Sequence, residues 1–423
     1  MKICFFTKYP PTEGGTASRS YWLIRALGER GVEVHVITNA LEEKSWREKI
    51  NFEDPDDLIN YQPKNVFVHS LDAIGPELNR GKNLLLNQNY ESRLASLGIE
   101  TVKRYQCEII DSHYFLPHGV AAYFTKKITN QPLILRHAVS DINRIVSDRT
   151  LHPLFQKIFS EANLIFTYKA WSNFFKELGI PSEKLYFNLN YGIDPKYFNP
   201  DVLPLDLNKY GFKASPDLSI ITYIGKSYRF KGIYQLLEAA SQIKEDFLLL
   251  FVSAGPGLDE FKEYLKKFPK LERKCHFLGF VPPWKIPSVL KRSTCLVQIE
   301  TDFPFAFHFP IQPLEAMAVG TCSIVSEEVY STYNKNLPRI EKEKSILVIN
   351  PKNIRELRNL LEKIIKNKKF AESISMEAAK IFSQDIFSAS VSAAIKIYET
   401  LGASKSLKMC LEELKSVILK YLE

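Results

Sequence analysis

A chain of 423 residues, 45% hydrophobic and 25% charged, is too long for a single hydrophobic core, because cores stop growing at about 250–300 residues, so two domains are expected. The composition is that of an ordinary globular protein and excludes a wholly disordered, collagenous or coiled-coil chain, and no run approaches the ~18 apolar residues of a spanning helix. With 56 Lys and Arg against 48 Asp and Glu the formal charge is +8, which suits phosphate-bearing ligands, but no dense basic run or aromatic RNA-binding signature goes with it, so no nucleic acid is expected as partner.

The amino terminus runs directly into Ile3-Cys4-Phe5-Phe6 and meets Lys8, Pro10 and Pro11 before an apolar leader region can form. Six scattered cysteines show neither a paired spacing nor neighbouring histidines, so reduced core thiols, a cytoplasmic location and no metal are expected.

The first 40 residues read as strand (Lys2–Thr7), Gly-rich loop, helix (Arg19–Arg30) and strand (Val32–Thr38), which is a βαβ opening and implies a parallel sheet. Leu41–Gly98 breaks the pattern, apart from a short strand near Val66–His69, and is read as a surface insertion. Alternation resumes with strands at Glu108–Ser112, Leu133–His137 and Leu164–Tyr168 and helices at Gly119–Lys127 and His152–Ala162, so a first α/β domain spans residues 1–205. The Pro-spaced Asn199–Leu205 segment reads as the linker.

A second β-α series fills residues 206–384, with strands at Ser219–Gly225, Phe247–Ser253, His276–Leu278, Cys295–Ile299 and Cys322–Val325. Helices are expected at Tyr234–Lys244, Leu258–Lys267 and Ile354–Lys369. Residues 385–423 read as two more helices, Asp385–Leu401 and Ser404–Leu422; the apolar face of the second must bury something, and packing across the domain junction is preferred over a membrane surface because its charges are mixed in sign.

Four groups of residues could carry chemistry. Gly14-Gly15 lies between the first strand and helix, where backbone amides can approach an anion, although a plain tight turn satisfies the same pattern. Gly225-Lys226 and Lys231-Gly232 flank one strand-to-helix loop, and two ammonium groups there suit a diphosphate, with solvated surface lysines as the bland alternative. In Phe309-Pro310-Ile311-Gln312-Pro313-Leu314-Glu315, the carboxylate of Glu315 stands in an apolar segment and needs a partner, either paired ribose hydroxyls or a lysine. In the first domain His113, His118, His137 and Asp141 follow strand ends, the edge of an open α/β sheet where ligands bind, whereas His35 and His276 read as core histidines.

Taken in order, the residues resemble a family. Gly14-Gly15, Asp111-Ser112-His113-Tyr114, Arg136-His137 with Ser140-Asp141, Asn190-Tyr191-Gly192-Ile193-Asp194, Gly225-Lys226 with Lys231-Gly232, and Leu314-Glu315-Ala316-Met317-Ala318 are similar to the motif series of the retaining nucleotide-sugar glycosyltransferases of GT-B fold, group four. The resemblance implies α/β GT-B architecture, with two Rossmann-like doubly wound parallel-sheet domains facing an interdomain cleft. It implies a nucleotide sugar donor held by the second domain and a glycan, lipid-linked or small-molecule acceptor held by the first, near His118, His137 and Asp141. No metal and no cofactor are implied; peripheral membrane contact is compatible with a lipid-linked acceptor and with Trp46, Tyr123 and Phe124 beside Lys126-Lys127.

By the same resemblance, Lys226 and Lys231 neutralise the leaving diphosphate and Glu315 binds the ribose. Gly14, Gly15 and Gly225 lie near the phosphates, His308, Phe309, Pro310 and Ile311 line the donor, and His113 sits by the sugar ring. Three positions depart from the pattern, one being Val139, which stands where a glycine is common in the block that runs to Asp141. Phe307 stands where the family commonly has a second glutamate, leaving His308, Glu300 or Asp302 to hydrogen-bond the sugar, and Asp111 stands where a histidine is common. The Phe307 departure keeps open a non-catalytic sugar-nucleotide-binding subunit, and the shared fold keeps open an epimerase.

Overall fold

A computed structural model describes the chain except residues 43–47, 72–89, 188–192, 213–214, 256, 305–307, 338, 383–385 and 404–423. Trp46, Asn190-Tyr191-Gly192, Phe307 and the expected Ser404–Leu422 helix therefore lie outside the described residues.

Two parallel-sheet α/β units are formed. The first gathers the described residues of Met1–Thr12, Thr16–Gly192 and Ile386–Glu423, and the second those of Glu13–Gly15 and Ile193–Asp385. In the first, β1 (Lys2–Thr7), β2 (Glu33–Thr38), β3 (Val66–Ser70), β4 (Ile109–His113), β5 (Leu133–Arg136), β6 (Leu164–Phe166) and β7 (Leu185–Tyr186) make a seven-stranded sheet. Its order is β3-β2-β1-β4-β5-β6-β7, so the winding reverses between β1 and β4.

In the second unit β8 (Ile220–Ile224), β9 (Leu248–Val252), β10 (Cys275–Phe277), β11 (Cys295–Gln298), β12 (Cys322–Ser326) and β13 (Leu347–Ile349) make a six-stranded sheet of order β10-β9-β8-β11-β12-β13, reversing between β8 and β11. The central strands are apolar along their length, as strands covered by helices on both faces must be: all five residues of β8 (IITYI) and of β9 (LLLFV) are buried. Each unit has its own core, one built around Phe6, Ile110, Leu135 and Phe159 and the other around Ile221, Phe251, Val297 and Leu361.

The reading of Leu41–Gly98 as a surface insertion is corrected. The helix Pro55–Tyr61 buries Tyr61 against the rings of Tyr9 and Phe52, and the helix Tyr90–Tyr105 buries Leu94, Ala95 and Val102 in the first core. Gly98 on that second helix is a close-approach position, since a Cβ there would lie 2.1 Å from the Phe6 ring. β7 and β13 were not expected from the sequence; with two and three residues they are too short to show a period.

The helix Ile386–Gly402 belongs to the first unit and is tied there through a buried polar contact. The Tyr398 hydroxyl donates to Asp111 Oδ2 at 2.7 Å, while the Arg136 guanidinium reaches the same carboxylate from Nε at 2.9 and 3.0 Å and from Nη2 at 2.9 Å. Arg136 and Asp111 are fully buried, and the guanidinium also lies 3.7 Å over the Phe166 ring. Asp111 thus works as the counter-ion of Arg136 within the fold.

Candidate functional site

In open parallel sheets, ligands bind beyond the strand C-termini where the winding reverses. In the first unit that point lies after β1 and β4, which pair Thr7 with His113. His113 is buried, and its Nδ1 is 2.9 Å from Ser20 Oγ, which in turn lies 2.7 Å from Thr7 Oγ1. Burial and the Arg136 charge hold the His113 pKa well below its ordinary value, so the ring is neutral at pH 7.

Around it, the irregular turn Phe115–Gly119 and the helix Val139–Ser147 bring further polar groups together. Tyr114 adopts φ +102°, a strained conformation for a bulky residue, and its hydroxyl meets Ser140 Oγ at 2.6 Å. Asp141 takes the backbone N–H of Phe115 on Oδ2, whereas its Oδ1 is buried without a hydrogen-bond partner among the described residues. Burial pushes Asp141 up to about 7 against the pull of backbone N–H groups.

Both ring nitrogens of buried His118 also lack hydrogen-bond partners among the described residues, and burial together with the Lys8 charge brings its pKa down to about 3. The Lys8 ammonium sits 3.9 Å over the Tyr114 ring. His137 differs: its Nε2 is 2.9 Å from Thr167 Oγ1 and its Nδ1 3.1 Å from the Ala138 carbonyl, so both nitrogens are used within the fold.

In the second unit the reversal point lies after β8 and β11, and it is ionic. Gly225 follows β8 with φ +149°, and the backbone then turns through Lys226 to Lys231 and Gly232 before the helix Ile233–Ala240. Gly232 is required twice over. Its φ is +74°, and a Cβ there would lie 2.3 Å from the Ile299 carbonyl oxygen, so only glycine lets this turn touch the end of β11.

That contact sets Lys231 beside Glu300, with which it forms a salt bridge; the Lys231 side chain keeps 15% of its exposure and Glu300 only 1%. His308 Nε2 lies 2.6 Å from Glu300 Oε2, at ion-pair distance though off the line of a hydrogen bond, and 3.4 Å from Lys231 Nζ. Gln298 Nε2 donates to Glu300 Oε1 at 2.8 Å, and the His308 ring stacks on Phe303 at 3.6 Å and 8°. Burial raises the Glu300 pKa, but the neighbouring His308 and Lys231 outweigh it and hold the carboxyl below its ordinary value.

The remaining donor-side residues of the sequence reading cluster on the next element. Phe309 packs edge-on against Tyr333 at 5.2 Å, the Pro310 carbonyl accepts the Tyr333 hydroxyl, and Ile311 leads into the helix Gln312–Val319. Glu315 is buried in the first turn of that helix, where a carboxylate is favoured by the amides, and Gly320 closes it in the left-handed conformation. Gly14 takes φ +121°, and both Gly14 and Gly15 have open space on the side where a Cβ would stand.

The structure thus brings Lys231, Glu300 and His308 together in one unit, and His113, His118 and Asp141 near one sheet edge of the other. Asp302 instead turns outward, 75% exposed, and pairs with Lys352 at 3.2 Å. Phe303, Gln298, Ser20 and Lys8 were missed from sequence; each is an ordinary residue type whose role comes only from a partner distant in the chain. Among the described residues no cluster of three or more His, Cys, Asp or Glu is arranged to hold a metal, and no helix is long and apolar enough to cross a membrane.

Comparison with known proteins agrees with this architecture. Residues 209–381 match the family described as glycosyl transferases group 1. An N-acetyl-α-D-glucosaminyl L-malate synthase of Bacillus anthracis is 23% identical over 325 residues, covering 76% of this chain and 77% of that protein. Sucrose-phosphate synthase from Thermosynechococcus elongatus superposes with a TM-score of 0.64 at 16% identity, covering 96% of this chain and 100% of the other. The Anabaena protein HepE, solved in complex with UDP-glucose, gives 0.63 at 17% identity over 95% and 100%. Residues 209–381 thus carry the likeness to glycosyl transferases group 1, on a chain with the two-sheet GT-B fold.

Proposed function

We propose that the protein transfers a glycosyl group from a nucleoside diphosphate sugar to a hydroxyl-bearing acceptor, with retention at the anomeric carbon and without a metal or cofactor. The observation that carries this reading is the pair of lysines on the β8 loop, Lys226 and Lys231, at the reversal point of the sheet that matches the family. A nucleoside diphosphate is the leaving group of such a transfer, and cations fixed beside it stabilise the charge that develops as the glycosidic bond breaks. Glu315, in the first turn of the next helix, would grip the ribose hydroxyls. Gly14, Gly15 and Gly225 would give the phosphates room, and Phe309, Pro310 and Ile311 would wall the donor.

On the acceptor side, neutral His113 and His118 and the buried carboxyl of Asp141 suit an uncharged hydroxyl group better than a second phosphate. His113 would face the sugar ring. Retention requires the acceptor to approach from the face that the diphosphate leaves, so positioning carries most of the catalysis and little covalent chemistry is required. A cytoplasmic enzyme, with a lipid-linked acceptor met at the membrane surface as one option, is compatible with these features.

The test is a panel of UDP-, GDP- and ADP-sugars with EDTA present, incubated with and without hydroxyl acceptors, among them L-malate because a relative is named for it. Acceptor-dependent release of nucleoside diphosphate, with the product anomer matching the donor by NMR, supports the reading. Sugar interconversion without acceptor would make the protein an epimerase, and binding without turnover would make it a sugar-nucleotide-binding subunit.

A further inference from the structure

Glu300 is an odd neighbour for a lysine meant to hold phosphate, because it already satisfies that lysine. Its two carboxylate oxygens divide the work: Oε1 takes Lys231 and the Gln298 amide, while Oε2 faces His308 Nε2 at 2.6 Å. The carboxylate is 1% exposed, whereas Lys231 and His308 keep 15% and 25% of their exposure, so the two bases form the accessible rim and the acid the floor. A buried carboxylate stripped of its counter-ion is strongly destabilising, so Lys231 cannot leave Glu300 for a ligand unless another cation takes its place.

We infer that Glu300 is a positioning residue for the donor diphosphate: Lys231 is passed from Glu300 to the phosphates when the donor binds, and the His308 imidazole, taking up a proton from solvent, becomes the counter-ion that Glu300 keeps. The inference rests on the reading of this loop as the nucleotide site. The distances support the exchange without a large rearrangement, because the His308 ring is already at ion-pair distance and is held in plane by stacking on Phe303. The charged groups described around the ring are Lys231 and Glu300; Asp302, on the same segment, is directed to Lys352. A bound diphosphate adds negative charge beside the imidazole and so favours its protonated form. The arrangement makes nucleotide release favourable in turn, since Glu300 competes with the phosphates for Lys231.

The experiment is isothermal titration of UDP, GDP and ADP into the full chain in buffers of different ionisation enthalpy at pH 7.5, followed by steady-state kinetics with the active donor. The unmodified protein is expected to take up a fraction of a proton per nucleotide bound. Glu300→Gln removes the competitor for Lys231 and should bind nucleoside diphosphate about tenfold more tightly, the effect of one pKa unit of charge interaction, with proton uptake abolished and kcat lowered by slow product release. A residue that only supports the loop would instead give weaker or unchanged binding, and that result at full thermal stability would overturn the inference.

His308→Asn guards against a misfolded Glu300 variant, because His308 is part-exposed. It should bind nucleotide several-fold more weakly with no proton uptake, and unaltered binding with unaltered proton uptake would equally overturn the inference. If the unmodified protein binds none of the three nucleotides, the nucleotide-site reading falls and this inference with it. If it binds one of them and neither variant changes the binding, only this inference falls.

Discussion

The two sheet edges solve the same geometric problem with opposite electrostatics. Beyond β1 and β4 the polar groups are buried and largely uncharged: burial drives His113, His118 and His137 toward the neutral form and lifts Asp141 to about 7. Beyond β8 and β11 the buried Glu300 carboxyl stays ionised, because Lys231 and His308 stand beside it and outweigh its desolvation. Desolvation without partners yields a neutral, hydrogen-bonding surface, and desolvation with partners yields an ionic one. The proposed function places a hydroxyl acceptor at the first edge and a diphosphate at the second, and the difference between the edges is the physical basis of that proposal.

The first unit also contains the one fully buried ion pair described there, and breaking it should have the largest effect on stability. Arg136→Met leaves the Asp111 carboxylate buried with only the Tyr398 hydroxyl among the described residues, at a cost of about 3–5 kcal/mol. Tyr398→Phe removes one hydrogen bond and should cost only ~1–2 kcal/mol. Denaturant titration of both variants orders the two effects, and equal losses would show that the helix Ile386–Gly402 depends on that hydroxyl more than on the ion pair.

On the ionic edge the predicted effects are on binding. Lys231→Ala should weaken nucleoside diphosphate affinity by ~1.5–3 kcal/mol, the scale of a charged hydrogen bond, with the Lys226→Ala, Lys231→Ala double variant weaker still. Calorimetry with UDP, GDP and ADP checks it; full affinity in the double variant would remove the phosphate role from this loop. Gly232→Ala, which touches no ligand, should reduce nucleotide affinity as well and cost about 1–3 kcal/mol of stability, because the added Cβ must move away from the Ile299 carbonyl and carries the Lys231 backbone with it. A destabilised variant with unaltered affinity would separate the turn from the site.

Much of this was legible in the sequence, for a physical reason. Parallel strands covered on both faces are continuous apolar runs, so β1, β8 and β9 can be read directly; Lys231-Gly232 stands out by its place on a strand-to-helix loop and Glu315 as a carboxylate in an apolar segment. What was not legible depends on contacts distant in the chain. Asp111 and Arg136 read as parts of two strand-end motifs, but their mutual ion pair and their contact with Tyr398, 262 residues beyond Arg136, are internal to the fold. The Leu41–Gly98 stretch read as surface because its buried faces, Tyr61 against Tyr9 and Leu94 in the core, are separated by polar turns that hide the period. Glu300 could be named only as one of several replacements for the glutamate absent at position 307; that it instead anchors Lys231 and His308 follows from the Gly232 contact with Ile299, which sequence spacing does not reveal.

The last prediction concerns pH and tests the neutral edge itself. The Asp141 pKa is raised to about 7, so across the range from the ordinary carboxylate value up to 7 the folded chain holds a proton there that the unfolded chain has lost. Its contribution to stability is therefore fully present at low pH and declines as pH rises toward 7. His118 and His137, lowered to about 3 and about 4, act with the opposite sign: the unfolded chain binds protons that the folded chain refuses, and stability falls as pH drops below 6.5. Asp141→Asn isolates the first term, because an amide has the shape of the protonated carboxyl and the histidines are common to both proteins. The stability of the unmodified protein relative to this variant should decline by ~1.4 kcal/mol per pH unit between pH 5 and 7 and level off above pH 7.5. Denaturant midpoints at pH 5, 6, 7 and 8 read this difference directly. Parallel pH profiles would mean that Asp141 is ionised throughout, and the first edge would then carry a buried negative charge beside Lys8 and could no longer be contrasted with the second as a neutral surface.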